Sequence, residues 1–281
     1  MEVTVKSIPV HYEEFGAGVP IFMLHGWPVD HRHMVADMEP IFARREGWRR
    51  IYPDMPGMGR TPGADWITTQ DQMLEIILDF IDQVAPDQRF VVAGTSYGGY
   101  LARGILYRRA AQLDGMLLLI PAIETDSARQ NYPPQQVLIE DPRFLAALTE
   151  EEQDLRTMFV VQSCVELERV RSLIQPAIAL ADHAFLERLD QHFAFSFAVD
   201  ELAEPFPAPV TIMAGRQDPW CGYREAWAIL DNYPRGTYAV LDRAGHSFDE
   251  DRIVFHALAE DWLNRVEEYR ARALAASAPL G

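Results

Sequence analysis

The feature that most constrains this chain is a six-residue turn, Gly94-Thr95-Ser96-Tyr97-Gly98-Gly99. It sits between the apolar run Phe90-Val91-Val92-Ala93 and a stretch with helical spacing, Tyr97–Arg109. This is G-x-S-x-G at a strand-to-helix junction, the context in which that motif carries chemistry. The reason is steric. The serine must stand on a tight turn with its hydroxyl projecting into a cleft, and Gly94 and Gly98 remove Cβ atoms that would collide across that turn. The helix begins at the serine, so its first amides and its dipole favour negative charge developing there. Few folds offer such a junction; an open, mostly parallel sheet with helices on its faces does.

The flanking sequence fits that frame. Val3–Ile8 and Val10–Glu14 read as an antiparallel entry pair. Ile21-Phe22-Met23-Leu24, Phe90–Ala93 and Met116–Ile120 are continuous apolar runs, the pattern of strands buried on both faces. Arg50-Ile51-Tyr52 reads as a shorter strand. Thr68–Val84 places Met73, Ile76, Ile77, Phe80 and Ile81 on one helical face and stops at Pro86. Strands separated by helices imply right-handed crossovers and a mostly parallel sheet.

The alternation breaks at Pro121. From there to Phe206 no strand pattern is found and the composition turns helical and acidic, as in Thr149-Glu150-Glu151-Glu152-Gln153-Asp154-Leu155. Strand signal returns at Val210-Thr211-Ile212-Met213. A helix near Gly222–Asn232, a strand at Thr237–Leu241 and a helix over about Asp251–Arg272 follow, and the tail Ala271–Gly281 is expected to fray. The organisation expected is a core formed by 1–120 and 207–281, interrupted by a helical cap over 121–206. Inserted helices over a sheet commonly shape ligand access.

A serine hydroxyl is a weak nucleophile; it needs a base, and the base needs an orienting acid. Asp218 follows the strand Val210–Met213, and His246 follows the strand Thr237–Leu241. Both fall at carboxyl ends of strands, where open α/β sheets build their sites. The expected catalytic set is Ser96, Asp218 and His246. Glu124, Asp242 and Asp249 are weaker candidates for the acid. His31 and His33 form an H-x-H without an accompanying carboxylate or cysteine cluster at ligand spacing, so no metal and no cofactor is expected.

With its nucleophile elbow, its Gly215-Arg216-Gln217-Asp218-Pro219 segment, its Gly245-His246 pair and its Ser…Asp…His order, the chain resembles the α/β-hydrolase-fold serine hydrolases over nearly its whole length outside the insertion. The resemblance implies a mostly parallel eight-stranded sheet with a cap inserted after the sixth strand. It also implies an oxyanion hole from the backbone amides of Trp27, which follows His25-Gly26, and Tyr97. Asp54-Met55-Pro56-Gly57-Met58-Gly59 resembles a folding signature of the family, and His25 is expected to order its loop. The implied activity is cleavage of small to medium, neutral carboxylic esters. Serine at the elbow, rather than aspartate or cysteine, argues against epoxide hydrolases, haloalkane dehalogenases and dienelactone hydrolases. A carbon–carbon bond hydrolase, lactonase or aminopeptidase of the same fold is the alternative, and a non-enzymatic binding protein the alternative of another class. Met158, Phe159 and Trp220 are candidate substrate contacts. Phe193, Phe195 and Phe197 are equally consistent with a pocket wall or with cap core. Cys221 lies near Asp218 and reads as a small packed side chain.

Charge limits the partners. Lys+Arg is 25 and Asp+Glu 42, a net charge of −17. Nucleic acid is gripped by clustered Lys and Arg, and only short basic pairs occur here, so none is expected as a partner. Two cysteines make no disulfide framework, no secretory signal is read at the start, and no apolar run is long enough to cross a bilayer. A cytoplasmic enzyme acting on small molecules, without nucleic acid or membrane, is expected; oligomeric state is not legible.

Overall fold

The computed structural model describes residues 1–126 and 128–277. Its strands are β1 (Glu2–Val5), β2 (Ile8–Phe15), β3 (Val19–Leu24), β4 (Trp48–Pro53), β5 (Phe90–Thr95), β6 (Leu113–Leu119), β7 (Val210–Gly215) and β8 (Gly236–Leu241). They form one sheet in the order β1-β2-β4-β3-β5-β6-β7-β8. The β1–β2 and β2–β4 pairings are antiparallel and the rest parallel. This is the mostly parallel eight-stranded sheet expected. All residues of β5, β6 and β7 are buried, which explains why they read as unbroken apolar runs.

The helices are α1 (His31–Phe42), α2 (Gln70–Val84), α3 (Tyr97–Arg109), α4 (Pro142–Ala147), α5 (Cys164–Arg169), α6 (Gln175–Leu180), α7 (His183–Asp190), α8 (Arg224–Ala228) and α9 (Arg252–Ser277). Side chains alternating along the strands serve two layers. Phe22, Leu24, Val92 and Leu118 pack towards α2 and α3, whereas Ile21, Met23, Val91 and Leu117 pack towards α1 and α9. Helix α2 starts at a capping box in which Thr69 and Gln72 satisfy each other's backbone amides.

The segment between β6 and β7 is built differently. Its helices α4 to α7 have six to eight residues each. A 3-10 stretch at Glu150–Thr157 and a π stretch at Val170–Ile174 separate them. Phe144, Leu155 and Leu167 form a small cluster of their own, while Phe185, Leu186 and Leu189 of α7 join the layer over α2 and α3. Little regular structure precedes α4, so this segment is less helical than its composition suggests.

Two expectations are corrected and one helix is added. The entry hairpin turns at Lys6 and Ser7, both with positive φ, so β1 ends at Val5 and β2 starts at Ile8. Helix α1 was not read from the sequence; Pro40 lies inside it. Helix α9 runs through Ala271 to Ser277, where fraying was expected; the rest of the tail, 278–281, lies outside the described residues. Among the described residues no helix is long and apolar enough to cross a membrane.

Candidate active site

Ser96 occupies the turn between β5 and α3 with φ 52° and ψ −116°. A non-glycine residue held there stores about 1–3 kcal/mol of strain. The surroundings fix it. The Ser96 N–H donates to Leu119 O at 2.9 Å, and its carbonyl accepts from the amides of Gly99, Tyr100 and Ala122. A Cβ on Gly94 would overlap the Gly98 carbonyl, and one on Gly98 the Leu24 carbonyl. Both positions therefore require glycine, Gly94 for the clash across the turn read from the sequence and Gly98 because the end of β3 passes against it.

Three residues far apart in the chain meet at this turn. Ser96 Oγ lies 3.1 Å from His246 Nε2, and His246 Nδ1 lies 2.9 Å from Asp218 Oδ2. One tautomer satisfies both contacts: Nδ1–H donates to Asp218 and Nε2 accepts from the serine hydroxyl. Asp218 is fully buried, and its Oδ1 accepts the amides of Trp220 at 2.9 Å and Cys221 at 3.1 Å. Both carboxylate oxygens are thus held, which fixes the imidazole they orient. Burial by itself lowers the His246 pKa; the Asp218 carboxylate and the Cys221 sulfur outweigh it, and the pKa stands well above 6.5.

The weaker acid candidates are engaged by other groups or exposed. Glu124 accepts from the Asp126 amide and from Arg129. Asp242 is exposed. Asp249 pairs with Arg169 and Arg252. The H-x-H residues diverge: His31 Nδ1 contacts Asp54 Oδ1 at 2.8 Å, whereas His33 Nε2 faces Asp37 at 3.7 Å.

The His25–Trp27 loop passes beside the serine: a Cβ on Gly26 would come into van der Waals contact with Ser96 Cβ. His25 is fully buried; Nδ1 donates to Gly26 O at 2.7 Å and Nε2 accepts the Met55 amide at 3.0 Å. Burial holds it below the usual imidazole range, hence neutral. It ties this loop to the Asp54 loop, where Asp54 accepts the His31 and Arg60 amides. Tyr97 heads α3, so its amide is among those a helix leaves unpaired. The Tyr97 hydroxyl donates to Gln70 at 2.5 Å, and its ring meets that of Trp27 edge-on at 5.1 Å.

Ser96 and His246 open onto a cavity of about 330 Å³. Met158, Phe159, Trp27 and Trp220 line it, and so do Val160, Val161, Val170, Ile174 and Ile178 from the inserted segment. Phe193 and Phe195 instead stack on Tyr100, and Phe197 on Tyr107. One quadrant is polar: His33, Glu166, Arg169 and Asp249. Arg169 reaches Asp37 at 2.7 Å and Asp249 at 3.4 Å, joining α5 to α1 and to the loop after His246. Glu166 is hydrogen-bonded to Asp249; burial and that neighbouring carboxylate push its pKa up to about 9. This quadrant was not anticipated, because its pairings depend on how the inserted segment docks and no local spacing encodes that.

A serine on a strained elbow at the carboxyl edge of a mostly parallel sheet, beside a cavity, defines a hydrolase of α/β architecture. The chain belongs to the alpha/beta hydrolase family, whose sequence model matches residues 21–258. It is 30% identical over 135 residues to AB hydrolase superfamily protein YisY of Bacillus subtilis, a match spanning 46% of this chain and 48% of that protein. It is 21% identical to the pimeloyl-[acyl-carrier protein] methyl ester esterase of Legionella pneumophila (strain Corby), over 84% of this chain and 91% of that one. Among solved structures, an alpha/beta superfamily hydrolase from Oenococcus oeni PSU-1 superposes with a TM-score of 0.86 at 26% identity, covering 95% of this chain and 99% of that chain. The enol-lactonase of Burkholderia xenovorans LB400 shares the fold, with a TM-score of 0.70 at 18% identity over 94% of this chain and 100% of that one.

Proposed function

We propose that this hydrolase is a serine carboxylesterase that cleaves small to medium, neutral esters through an acyl-enzyme. The observation that carries the reading is the unbroken chain Asp218–His246–Ser96, with contacts of 2.9 and 3.1 Å, opening onto a largely apolar cavity. His246 takes the Ser96 proton as the oxygen attacks the ester carbonyl. Asp218 keeps the imidazole in the receiving tautomer and stabilises its charge. The amides of Trp27 and Tyr97 receive the oxyanion, where one such donor contributes about 3–4 kcal/mol to barrier lowering. His246 then returns the proton to the leaving alkoxide, and water, deprotonated by the same nitrogen, releases the acid.

In this reading residues 121–206 act as a cap over a core formed by 1–120 and 207–281. The cap selects substrate by shape: Met158 and Phe159, with Trp220 from the core, contact the acyl or alcohol part. The name of the Legionella relative supports ester cleavage, and the apolar wall together with the net charge of −17 supports neutral rather than anionic substrates. Two free cysteines suit a reducing, cytoplasmic setting, and neither nucleic acid nor membrane enters the reading. Turnover of a short-chain p-nitrophenyl ester by the wild type and by Ser96→Ala tests it. Expected is turnover abolished by the substitution; equal rates in both, or none in the wild type, overturn it.

A further inference from the structure

The Asp218 loop brings a thiol to the serine. Cys221 is buried, and its Sγ lies 3.8 Å from Ser96 Oγ. Together with His246 and Asp218 it forms a group of ligand atoms all within 4.8 Å of one another. Zinc binds thiolate at about 2.3 Å and imidazole nitrogen or oxygen at about 2.0–2.2 Å, in a tetrahedron. The ligand-to-ligand edges of such a tetrahedron are therefore about 3.3–3.7 Å. Ser96 Oγ to His246 Nε2 is 3.1 Å and Ser96 Oγ to Cys221 Sγ is 3.8 Å, close to two of those edges. Asp218 already holds Nδ1 of the same imidazole at 2.9 Å, the outer carboxylate that orients a metal-binding histidine. Ser96 and His246 line the cavity, through which a water or a carboxylate can complete the coordination.

Two other groups of potential ligands lack this freedom. Asp54 is engaged by the His31 amide, the His31 ring and the Arg60 amide, and Asp30 is forked by Arg32. His11 and Glu13 depend on that same His31 for a third ligand.

The geometry points to a site for a thiophilic divalent cation, zinc above all, on Cys221 Sγ, His246 Nε2 and Ser96 Oγ, at which the ion reversibly blocks the hydrolase. Binding releases the thiol proton to solvent and leaves the serine hydroxyl as a neutral ligand; no electrons move. The ion occupies the Nε2 lone pair that would accept the serine proton, so bound protein cannot start the reaction. Blockade rests on the proposed role of Ser96 and His246; ion binding does not.

Cobalt(II) is the probe, titrated into Cys164→Ser protein so that the exposed thiol does not contribute. A thiolate-to-cobalt charge-transfer band in the near ultraviolet is expected. It should vanish when Cys221→Ser or Cys221→Ala is added, and His246→Ala should weaken cobalt binding at least tenfold, with far-ultraviolet dichroism checking that each variant folds. Absence of the band in Cys164→Ser, or its persistence without Cys221, overturns the site. In parallel, zinc should inhibit p-nitrophenyl ester turnover of Cys164→Ser, chelator should restore it, and inhibition should weaken at least tenfold in the Cys221 variants, each measured against its own metal-free rate. A cobalt band without zinc inhibition overturns the blockade. Protein that shows the band but never turns over an ester refutes the esterase reading and leaves the metal site standing.

Discussion

Every residue of β5, β6 and β7 is buried, whereas, among the described residues, α4, α5 and the 3-10 stretch between them share a cluster of three buried side chains, Phe144, Leu155 and Leu167. The sheet is secured by apolar area, about 25 cal/mol per Å² removed from water. The α5 part of the insertion is held to the core largely through polar contacts: the ion pairs of Arg169 with Asp37 and Asp249, and the hydrogen bond of the Glu166 carboxyl with Asp249. Apolar packing is insensitive to exact pairing; a buried ion pair is not, because removing one partner strands the other. The sheet thus offers a rigid mount for Ser96, Asp218 and His246, and the insertion offers a wall whose position depends on a few contacts.

The largest effect that would break this contrast belongs to the sheet's chemistry. Ser96→Ala should lower ester turnover by about 10⁴-fold or more while leaving the melting temperature within about a degree or two. Asp218→Asn should cost about 10³–10⁴-fold through the wrong imidazole tautomer, whereas Glu124→Gln should leave kcat/KM nearly unchanged. A large loss from Glu124→Gln would move the acid to the other strand end. In stability the sheet should dominate. Leu118→Ala should cost about 2–5 kcal/mol in global denaturant unfolding. Leu167→Ala should show itself chiefly as faster amide exchange over α4 and α5 and a higher KM. Equal global losses would show that the two regions unfold as one.

Arg169→Ala should raise KM several-fold with little change in kcat, because it releases α5 from Asp37 and Asp249 without touching the serine; a kcat loss with KM intact would instead tie Arg169 to the chemistry. The smallest effects are pH effects. In the proposed mechanism neutral His246 is the base; its pKa is raised above 6.5, so kcat/KM should fall as pH drops through a value above 6.5. An inflection below that value would mean that burial outweighs the Asp218 carboxylate. Glu166 is also raised, so its contribution to stability is full below the ordinary carboxyl value of 4.5 and drains as pH climbs towards about 9. Glu166→Gln should flatten that part of the stability profile, measured against the wild type by thermal unfolding.

What was legible in the sequence follows the same division. Strands buried on both faces announce themselves as apolar runs, so β3, β5, β6 and β7 could be placed within a residue or two at most ends. The elbow was legible because a clash across one turn dictates glycine at fixed offsets. Asp218 could be nominated because it closely follows such a strand, β7; His246 follows β8, an only partly buried edge strand, and is marked by its place after Gly245 at that strand's carboxyl end. The hairpin turn was misplaced because Lys6 and Ser7 take positive φ without the glycine or asparagine that normally signals it. Helix α1 is masked in the sequence by Pro40, a helix-breaking residue that lies inside it. The polar quadrant of Glu166, Arg169 and Asp249 joins residues on separate elements whose approach is a tertiary outcome. Cys221 was noticed by its nearness to Asp218 in the chain, but its 3.8 Å approach to Ser96 Oγ required the loop's path.

The far wall of the cavity comes from residues such as Met158, Phe159, Val170 and Ile174, none of which belongs to a strand of the sheet. In the proposed reading, much of the mould is therefore separate material from the reagent. Exchanges along that wall can redraw which molecules fit while the serine, the imidazole and the carboxylate stay where the strands hold them. A chain built this way can acquire a new diet by small steps without first losing its bite.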